Sequence, residues 1–131
     1  MRGIVSLLTG ALLASAAQAQ DVRGGKAVYD RYCAACHGPA AQGDGPMRMV
    51  LTLDPPDLTG LQHANDGHFP LARVVYRIDG RDPVVAHGSV MPIYGDFFEP
   101  RSVALRTERG ETLKVSPPMA DLVAYLESLQ R

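Results

Sequence analysis

The sequence is poor in cysteine: its 131 residues include only Cys33 and Cys36, three positions apart. Stabilising disulfides in exported proteins usually join residues that are distant in the sequence, so this spacing argues against a disulfide framework. No second C-x-x-C pair and no H-x-x-x-H pair is present, which argues against a four-ligand zinc site. A thioredoxin-like dithiol is disfavoured as well, because helical spacing precedes Cys33 and no parallel-strand pattern follows it.

Concentrated charge of one sign is also missing. The chain has 13 basic and 14 acidic residues, and the basic ones are scattered singly rather than gathered into a stripe. This distribution gives no support for nucleic-acid binding, so the choice of any protein partner must depend on a local patch. No Ser-His-Asp grouping, phosphate-binding loop or paired-carboxylate motif stands out, so the sequence gives no support for a hydrolytic enzyme.

Long apolar runs are absent except near the amino terminus. Residues 3–17 are dominated by apolar and small side chains and follow the basic Arg2. An uncleaved anchor is disfavoured, since this run is shorter than the ~20 residues of a spanning helix. Residues 17–19, Ala-Gln-Ala, have the small-x-small form that signal peptidase recognises. We therefore expect residues 1–19 to be a signal peptide for export to the periplasm, and residues 20–131 to form one domain without a membrane span.

Apolar spacing in the first part of that domain predicts a helix followed by a long loop. Asp21 can cap a helix whose apolar face continues to His37, where Gly38 and Pro39 end it. Gly and Pro are frequent over residues 38–60, so we expect only a turn or two of regular structure there, around residues 47–51. The apolar side chains of this loop need a surface to cover. They are Met47, Met49, Val50, Leu51, Leu53 and Leu58.

Two further helices complete a mainly α prediction. A short middle helix is expected over residues 70–78, with Pro70 in its first position and Gly80 ending it. A closing helix over residues 117–130 has an apolar stripe, and Ser116 is placed to cap it. Residues 103–115 alternate apolar and polar side chains, which indicates a small surface hairpin.

The most specific motif is C-x-x-C-H at residues 33–37, the pattern of covalent haem attachment. On a helix the two sulfurs lie about one turn apart on one face, where they can bond to the two vinyl groups on a haem edge. His37 can then provide the proximal nitrogen ligand of the iron. The motif predicts one covalent haem c held by Cys33, Cys36 and His37.

The second axial ligand is predicted to be Met91, in the sequence H-G-S-V-M-P-I-Y-G of residues 87–95. A thioether is soft and neutral, which raises the reduction potential relative to two histidines. Pro92 biases Met91 towards an extended backbone. Methionine is more often core filler than ligand. The methionines that compete with Met91 are Met47, Met49 and Met119, and the histidines that could replace Met91 as the distal ligand are His63, His68 and His87.

Together these features resemble the class I c-type cytochromes over essentially the whole of residues 20–131. In that family a glycine and an aromatic residue precede the first cysteine by eight and four positions, here Gly25 and Tyr29. An apolar residue followed three later by an aromatic marks the last helix, here Leu122 and Tyr125. The resemblance implies a mono-haem cytochrome c fold whose first and last helices cross at Gly25, with long loops around the haem.

The resemblance also implies a support for the proximal histidine. The family has a Pro-x-Leu sequence whose proline carbonyl accepts a hydrogen bond from the outer ring nitrogen, and residues 56–58 match it with Pro56. For the haem propionates the sequence offers only candidates. These are Arg48, Arg73, Arg77 and Tyr94.

The resulting functional expectation is a monomeric periplasmic electron carrier that cycles iron between Fe(II) and Fe(III). It would meet a redox donor and an acceptor transiently, through small interfaces. One alternative is the cytochrome subunit of a dehydrogenase or oxidase complex, with the Phe-Phe-Glu-Pro stretch of residues 97–100 as an interface. Another is a haem sensor or peroxidase-like enzyme with an open iron, which requires that Met91 does not bind.

Overall fold

Helices make up most of the regular structure in the computed structural model, which describes residues 20–82, 91–95 and 100–131. The α-helices of these ranges are α1 (Val22–Tyr32), α2 (Ala34–His37), α3 (Leu71–Asp79) and α4 (Pro117–Ser128). Short 3-10 helices cover Pro46–Val50, Leu58–Gly60 and His63–Asn65. Strands β1 (Val103–Arg106) and β2 (Thr112–Val115) pair antiparallel. The mainly α prediction is confirmed.

Three segments lie outside the described residues, namely 1–19, 83–90 and 96–99. They include the predicted signal peptide, His87 and most of the 97–100 stretch. Within the described ranges, no helix is both long and apolar enough to cross a membrane.

Helices α1 and α4 cross at Gly25, as the resemblance implied. A Cβ atom on Gly25 would overlap the Asp121 carbonyl oxygen, so the two backbones meet where only glycine fits. Next to this point the rings of Tyr29 and Tyr125 pack with centroids 5.3 Å apart and planes inclined at 55°. The Asp21 backbone N–H also donates to Asp121 Oδ1 at 2.8 Å. The crossing thus fixes the helix that leads directly into the cysteine motif.

The predicted first helix is interrupted at Cys33, so two helices stand where the sequence indicated one. Asp21 caps α1 as predicted, since its Oδ1 accepts from the Arg23 N–H at 2.9 Å. At the interruption the Cys36 N–H donates to the Cys33 carbonyl at 3.1 Å, three residues back. This bond is of the 3-10 type, and the same carbonyl also accepts from the His37 N–H at 2.9 Å, four residues on, as helical structure resumes in α2. Helix α2 then ends at His37, as predicted.

The other predicted elements are present with small shifts. Helix α3 starts at Leu71, so Pro70 is its cap rather than its first residue, and Gly80 ends it with a φ of 82°. Ser116 caps α4 by accepting the Met119 N–H at 3.3 Å. The hairpin brings Leu105 opposite Leu113, and both of these side chains are buried.

One core joins α1, α3, the hairpin and α4. The large side chains that are fully buried in it include Tyr29, Val75, Val115, Leu122 and Val123. Partly buried residues that pack against this core include Tyr32, Cys33, Met91 and Tyr94. The edge of the core therefore gathers the attachment motif and the predicted distal segment.

Candidate functional site

The two cysteines are partly buried thiols that do not form a disulfide with each other. Burial, together with a smaller effect of the nearby Cys36, raises the pKa of the Cys33 thiol to about 11. Cys33 is therefore protonated at neutral pH, whereas a redox-active C-x-x-C pair needs a thiol whose pKa is depressed. This electrostatic setting argues against a thioredoxin-like role.

His37 is buried, and its ring is held by Pro56. The Nδ1 atom lies 3.3 Å from the Pro56 carbonyl oxygen, in the position that the resemblance implied. Because a carbonyl can only accept, Nδ1 carries the hydrogen and Nε2 keeps its lone pair for a metal. Burial lowers the pKa of His37, and the bond to Pro56 opposes this only in part. The imidazole is accordingly neutral at pH 7, the form that binds iron.

Backbone amides of the loop after α2 donate hydrogen bonds to the carbonyls at the end of this helix. The Gly43 N–H donates to the His37 carbonyl at 2.9 Å, and the Gly45 N–H donates to the Cys36 carbonyl at 3.2 Å. A Cβ on Gly43 would overlap the Pro55 carbonyl oxygen, so this loop lies directly against the segment that carries Pro56. The sequence showed these glycines only as loop formers, because nothing in their spacing reveals which backbone they approach.

The predicted distal segment is attached to the ends of α1 and α3. The Tyr94 N–H donates to the Ile78 carbonyl at 2.8 Å, and the Tyr94 hydroxyl donates to the Tyr32 carbonyl at 3.0 Å. The rings of Tyr32 and Tyr94 also meet edge to face, with centroids 5.7 Å apart. Met91, three residues before Tyr94, is partly buried against the core. The structure therefore places Met91 on a segment anchored to Tyr32, the residue before the first cysteine.

The competing ligand candidates occupy different environments. Met119 is 2% exposed and belongs to the core, whereas Met49 is 90% exposed on the loop after α2. His63 and His68 are exposed. The Nδ1 atom of His68 lies 3.0 Å from the Asp66 carbonyl.

The arginine candidates for propionate binding are already paired or lie elsewhere. The Arg48 guanidinium binds the Asp54 carboxylate through two contacts of 3.0 and 3.1 Å. Arg77 lies 3.4 Å from Asp82. Arg73 lines a cleft between α3 and the hairpin. Tyr94 therefore lies next to the cysteine motif, whereas the contacts found for the three arginines lie elsewhere.

Exposed apolar side chains are concentrated on the loop after α2. Val50 is 72% exposed, Leu53 64% and Met47 45%, in addition to Met49. Large apolar side chains on one surface segment indicate a bound apolar group or partner. This site fits a covalently attached porphyrin. The two neighbouring thiols can bond to it, the neutral imidazole can bind its metal, and the apolar loop can cover its face.

A family model described as Cytochrome c matches residues 22–99, which is more than half of the chain. The chain belongs to the cytochrome c family. Searches of curated proteins and of solved structures gave no match. Proteins of this family bind covalent haem c through cysteines, and Cys33 and Cys36 are the two cysteines of this cytochrome. The matched range contains the C-x-x-C-H motif, Pro56 and Met91, and it ends before the hairpin and α4.

The contacts of Gln130 and Arg131 were not anticipated from the sequence. The Gln130 side chain donates to the Leu58 carbonyl at 2.8 Å, and the Arg131 guanidinium donates to Thr59 Oγ1 at 2.6 Å. These bonds reach the loop directly after Pro56. No local spacing could have revealed them, because they join residues 72 positions apart.

Proposed function

We propose that this cytochrome is a periplasmic electron carrier in which Cys33 and Cys36 hold one haem c and His37 is the proximal iron ligand. The observation that supports it best is the hydrogen bond between His37 Nδ1 and the Pro56 carbonyl. It sets the tautomer that leaves Nε2 available to iron, one residue after the second thiol. When bound, the haem supplies an iron that gains and loses one electron.

The chain's own residues keep the ligands in place during this cycle. Burial keeps His37 neutral, and the Pro56 carbonyl increases the basicity of the imidazole through the shared hydrogen. We assign Met91 as the distal ligand, because Tyr94 anchors its segment beside α1. Ligands that are held in both oxidation states require little rearrangement, which favours rapid electron transfer.

The proposed layout is a signal peptide over residues 1–19 and a mature domain over residues 20–131. The apolar stretch of residues 3–17 and the Ala-Gln-Ala sequence after it support export. Without Arg2 the mature chain has twelve basic and fourteen acidic residues, a formal charge of about −2 before that of the cofactor. We propose that it acts as a monomer and meets its redox donor and acceptor through small, transient interfaces.

Replacing Met91 by Leu is expected to remove the distal ligand while keeping the volume of the side chain. The weak methionine-to-iron absorption band of the oxidised protein should disappear, and the reduced protein should bind carbon monoxide rapidly at neutral pH. Met49→Leu is the matched control, since Met49 is 90% exposed and its replacement should leave both properties unchanged. Visible absorption spectra of the two exported holoproteins test the assignment. A band that survives in Met91→Leu and vanishes in Met49→Leu would reverse it.

The carrier role is tested by size exclusion of the native periplasmic fraction. We expect the haem absorbance to elute with a small, free protein whose mass is that of residues 20–131 plus one haem. Elution of the haem with a larger oxidoreductase would show instead that this cytochrome is a stable subunit. Rapid binding of carbon monoxide by the unmodified protein would favour an open-iron sensor or peroxidase-like enzyme.

A further inference from the structure

Gln130 and Arg131, which follow α4, bind the loop that supports His37. The Arg131 N–H donates to the Thr59 carbonyl at 3.0 Å, and its guanidinium donates to Thr59 Oγ1 at 2.6 and 3.1 Å. The Gln130 side chain donates to the Leu58 carbonyl at 2.8 Å and accepts from the Gln62 N–H at 2.9 Å. We refer to Gln130, Arg131 and these bonds to residues 58–62 as the C-terminal clamp.

Thr59 links the clamp to the residue that follows Pro56. Its buried hydroxyl accepts from Arg131 and donates to Asp57 Oδ1 at 2.6 Å, while the Thr59 N–H donates to the same oxygen at 2.8 Å. The two bonds from Thr59 hold the pKa of the Asp57 carboxyl below its usual value. The Arg131 guanidinium also lies 3.8 Å from Asp57. Residues 57–59 are thereby fixed relative to the end of α4.

The Pro56 carbonyl is held from both sides of the loop. On one side, the Leu58 N–H donates to the Ala41 carbonyl at 2.8 Å, and the backbone at Gly43 packs against Pro55. The C-terminal clamp holds the other side. Helix α4, from which the clamp extends, is itself locked against α1. A chain of contacts thus runs from α4 through residues 56–59 to the ring of His37.

We propose that Gln130 and Arg131 are positioning residues for His37 and help to set the reduction potential of the iron, an inference that rests on the proposed function of His37 as proximal ligand. By fixing residues 57–59, the clamp keeps the Pro56 carbonyl within hydrogen-bond distance of Nδ1. That hydrogen bond makes the imidazole a stronger donor, which stabilises Fe(III) relative to Fe(II). Loosening the clamp should shift this balance towards Fe(II).

The test compares exported holoproteins by redox titration at one pH and salt concentration. In Gln130→Ala/Arg131→Ala we expect the Fe(II)/Fe(III) ratio at a fixed ambient potential to rise about threefold, a positive shift of about 28 mV at 59 mV per tenfold change. The direction of the shift separates the two possible causes. Loss of the positive charge of Arg131 alone would favour Fe(III) and lower the ratio.

Uncharged variants of Thr59 repeat the test without altering the net charge. Thr59→Val removes the hydroxyl that joins Arg131 to Asp57 and should also raise the ratio. Thr59→Ser retains that hydroxyl and should restore the ratio of the unmodified protein. If the double variant does not acquire haem, the ratios of these two single variants still test the inference.

Two control variants separate an effect of the clamp on the potential from a general loss of stability or of surface charge. Ser116→Ala removes the cap of α4 and lowers stability without touching the clamp, so its potential should be unchanged. Arg109→Ala removes an exposed charge in the hairpin turn and should have no effect on the potential either. Hydrogen exchange at the Thr59 and Gln62 amides should accelerate in the clamp variant only.

The outcomes separate the inference from the function on which it rests. An unmodified protein that matures without haem, or whose iron spectrum does not change in His37→Ala, would overturn the proposed function. Normal haem and His37 ligation, together with unchanged potentials in both Thr59→Val and the double variant, would overturn the clamp inference alone. A shift equal to that of Ser116→Ala would also overturn it.

Discussion

Replacing both Cys33 and Cys36 by Ala is expected to give an exported polypeptide that carries no haem and has lost most of its helical circular dichroism. Without thioethers nothing attaches the cofactor, and the apolar loop that contains Met49 then has no large surface to cover. A domain of this size buries a limited core, so the loss of a large apolar group is costly. The measurements are the intact mass, the visible spectrum and a thermal melt.

The single variants Cys33→Ala and Cys36→Ala serve as controls for that experiment. Each retains one thioether, so each should carry haem in reduced yield and melt between the unmodified protein and the double variant. A haem-free double variant with native helix content and a cooperative melt would show that the polypeptide folds without its cofactor.

Replacing Gly25 by Ala is expected to lower the free energy of unfolding by about 2 kcal/mol, since overpacking at such a site costs about 3 kcal/mol, the upper part of its usual range. The added Cβ would overlap the backbone carbonyl of Asp121, and neither helix can yield without disturbing the Tyr29 and Tyr125 rings. The greater helix propensity of alanine, worth roughly 1 kcal/mol, offsets only part of this cost. Denaturant unfolding of the holoprotein measures the difference.

Gly24→Ala is the matched control, one residue earlier on α1. A Cβ there would lie 3.0 Å from Asp21 Oδ2 and 3.4 Å from Asp121 Oδ2, both at the far ends of side chains that can move. We expect its stability to stay within about 1 kcal/mol of the unmodified protein. Equal losses in the two variants would contradict a backbone contact specific to Gly25.

Three helix ends, at Asp21, Gly80 and Ser116, were predictable because the interactions that fix them are local. Asp21 and Ser116 cap through bonds to amides two and three residues away, and Gly80 ends α3 through its own positive φ. The interruption at Cys33 was missed because a local change in backbone hydrogen bonding leaves no mark on side-chain spacing. The hairpin followed from the alternation around Gly110, which has a φ of 79°.

The attachment motif was visible in five residues, since its chemistry requires two thiols and an imidazole side by side. The position of Pro56 came from the resemblance, and the structure places its carbonyl beside His37. The C-terminal clamp had no counterpart in the sequence analysis, because Gln130 and Arg131 act over 72 positions. Met119 belongs to the apolar stripe predicted for the closing helix, and its burial confirms that it is a core residue.

The contact between Asp21 and Asp121 joins residues 100 positions apart, and this separation affects the order in which the helices can dock. A ribosome makes α1 and both thiols well before α4, so the first helix waits for its docking partner until residues 117–128 have been made. Pairing over such a distance also carries a large loop-closure entropy and slows folding. Until α4 docks, α1 lacks this partner, so Cys33, which follows α1 and packs against the shared core, is less enclosed than in the folded chain.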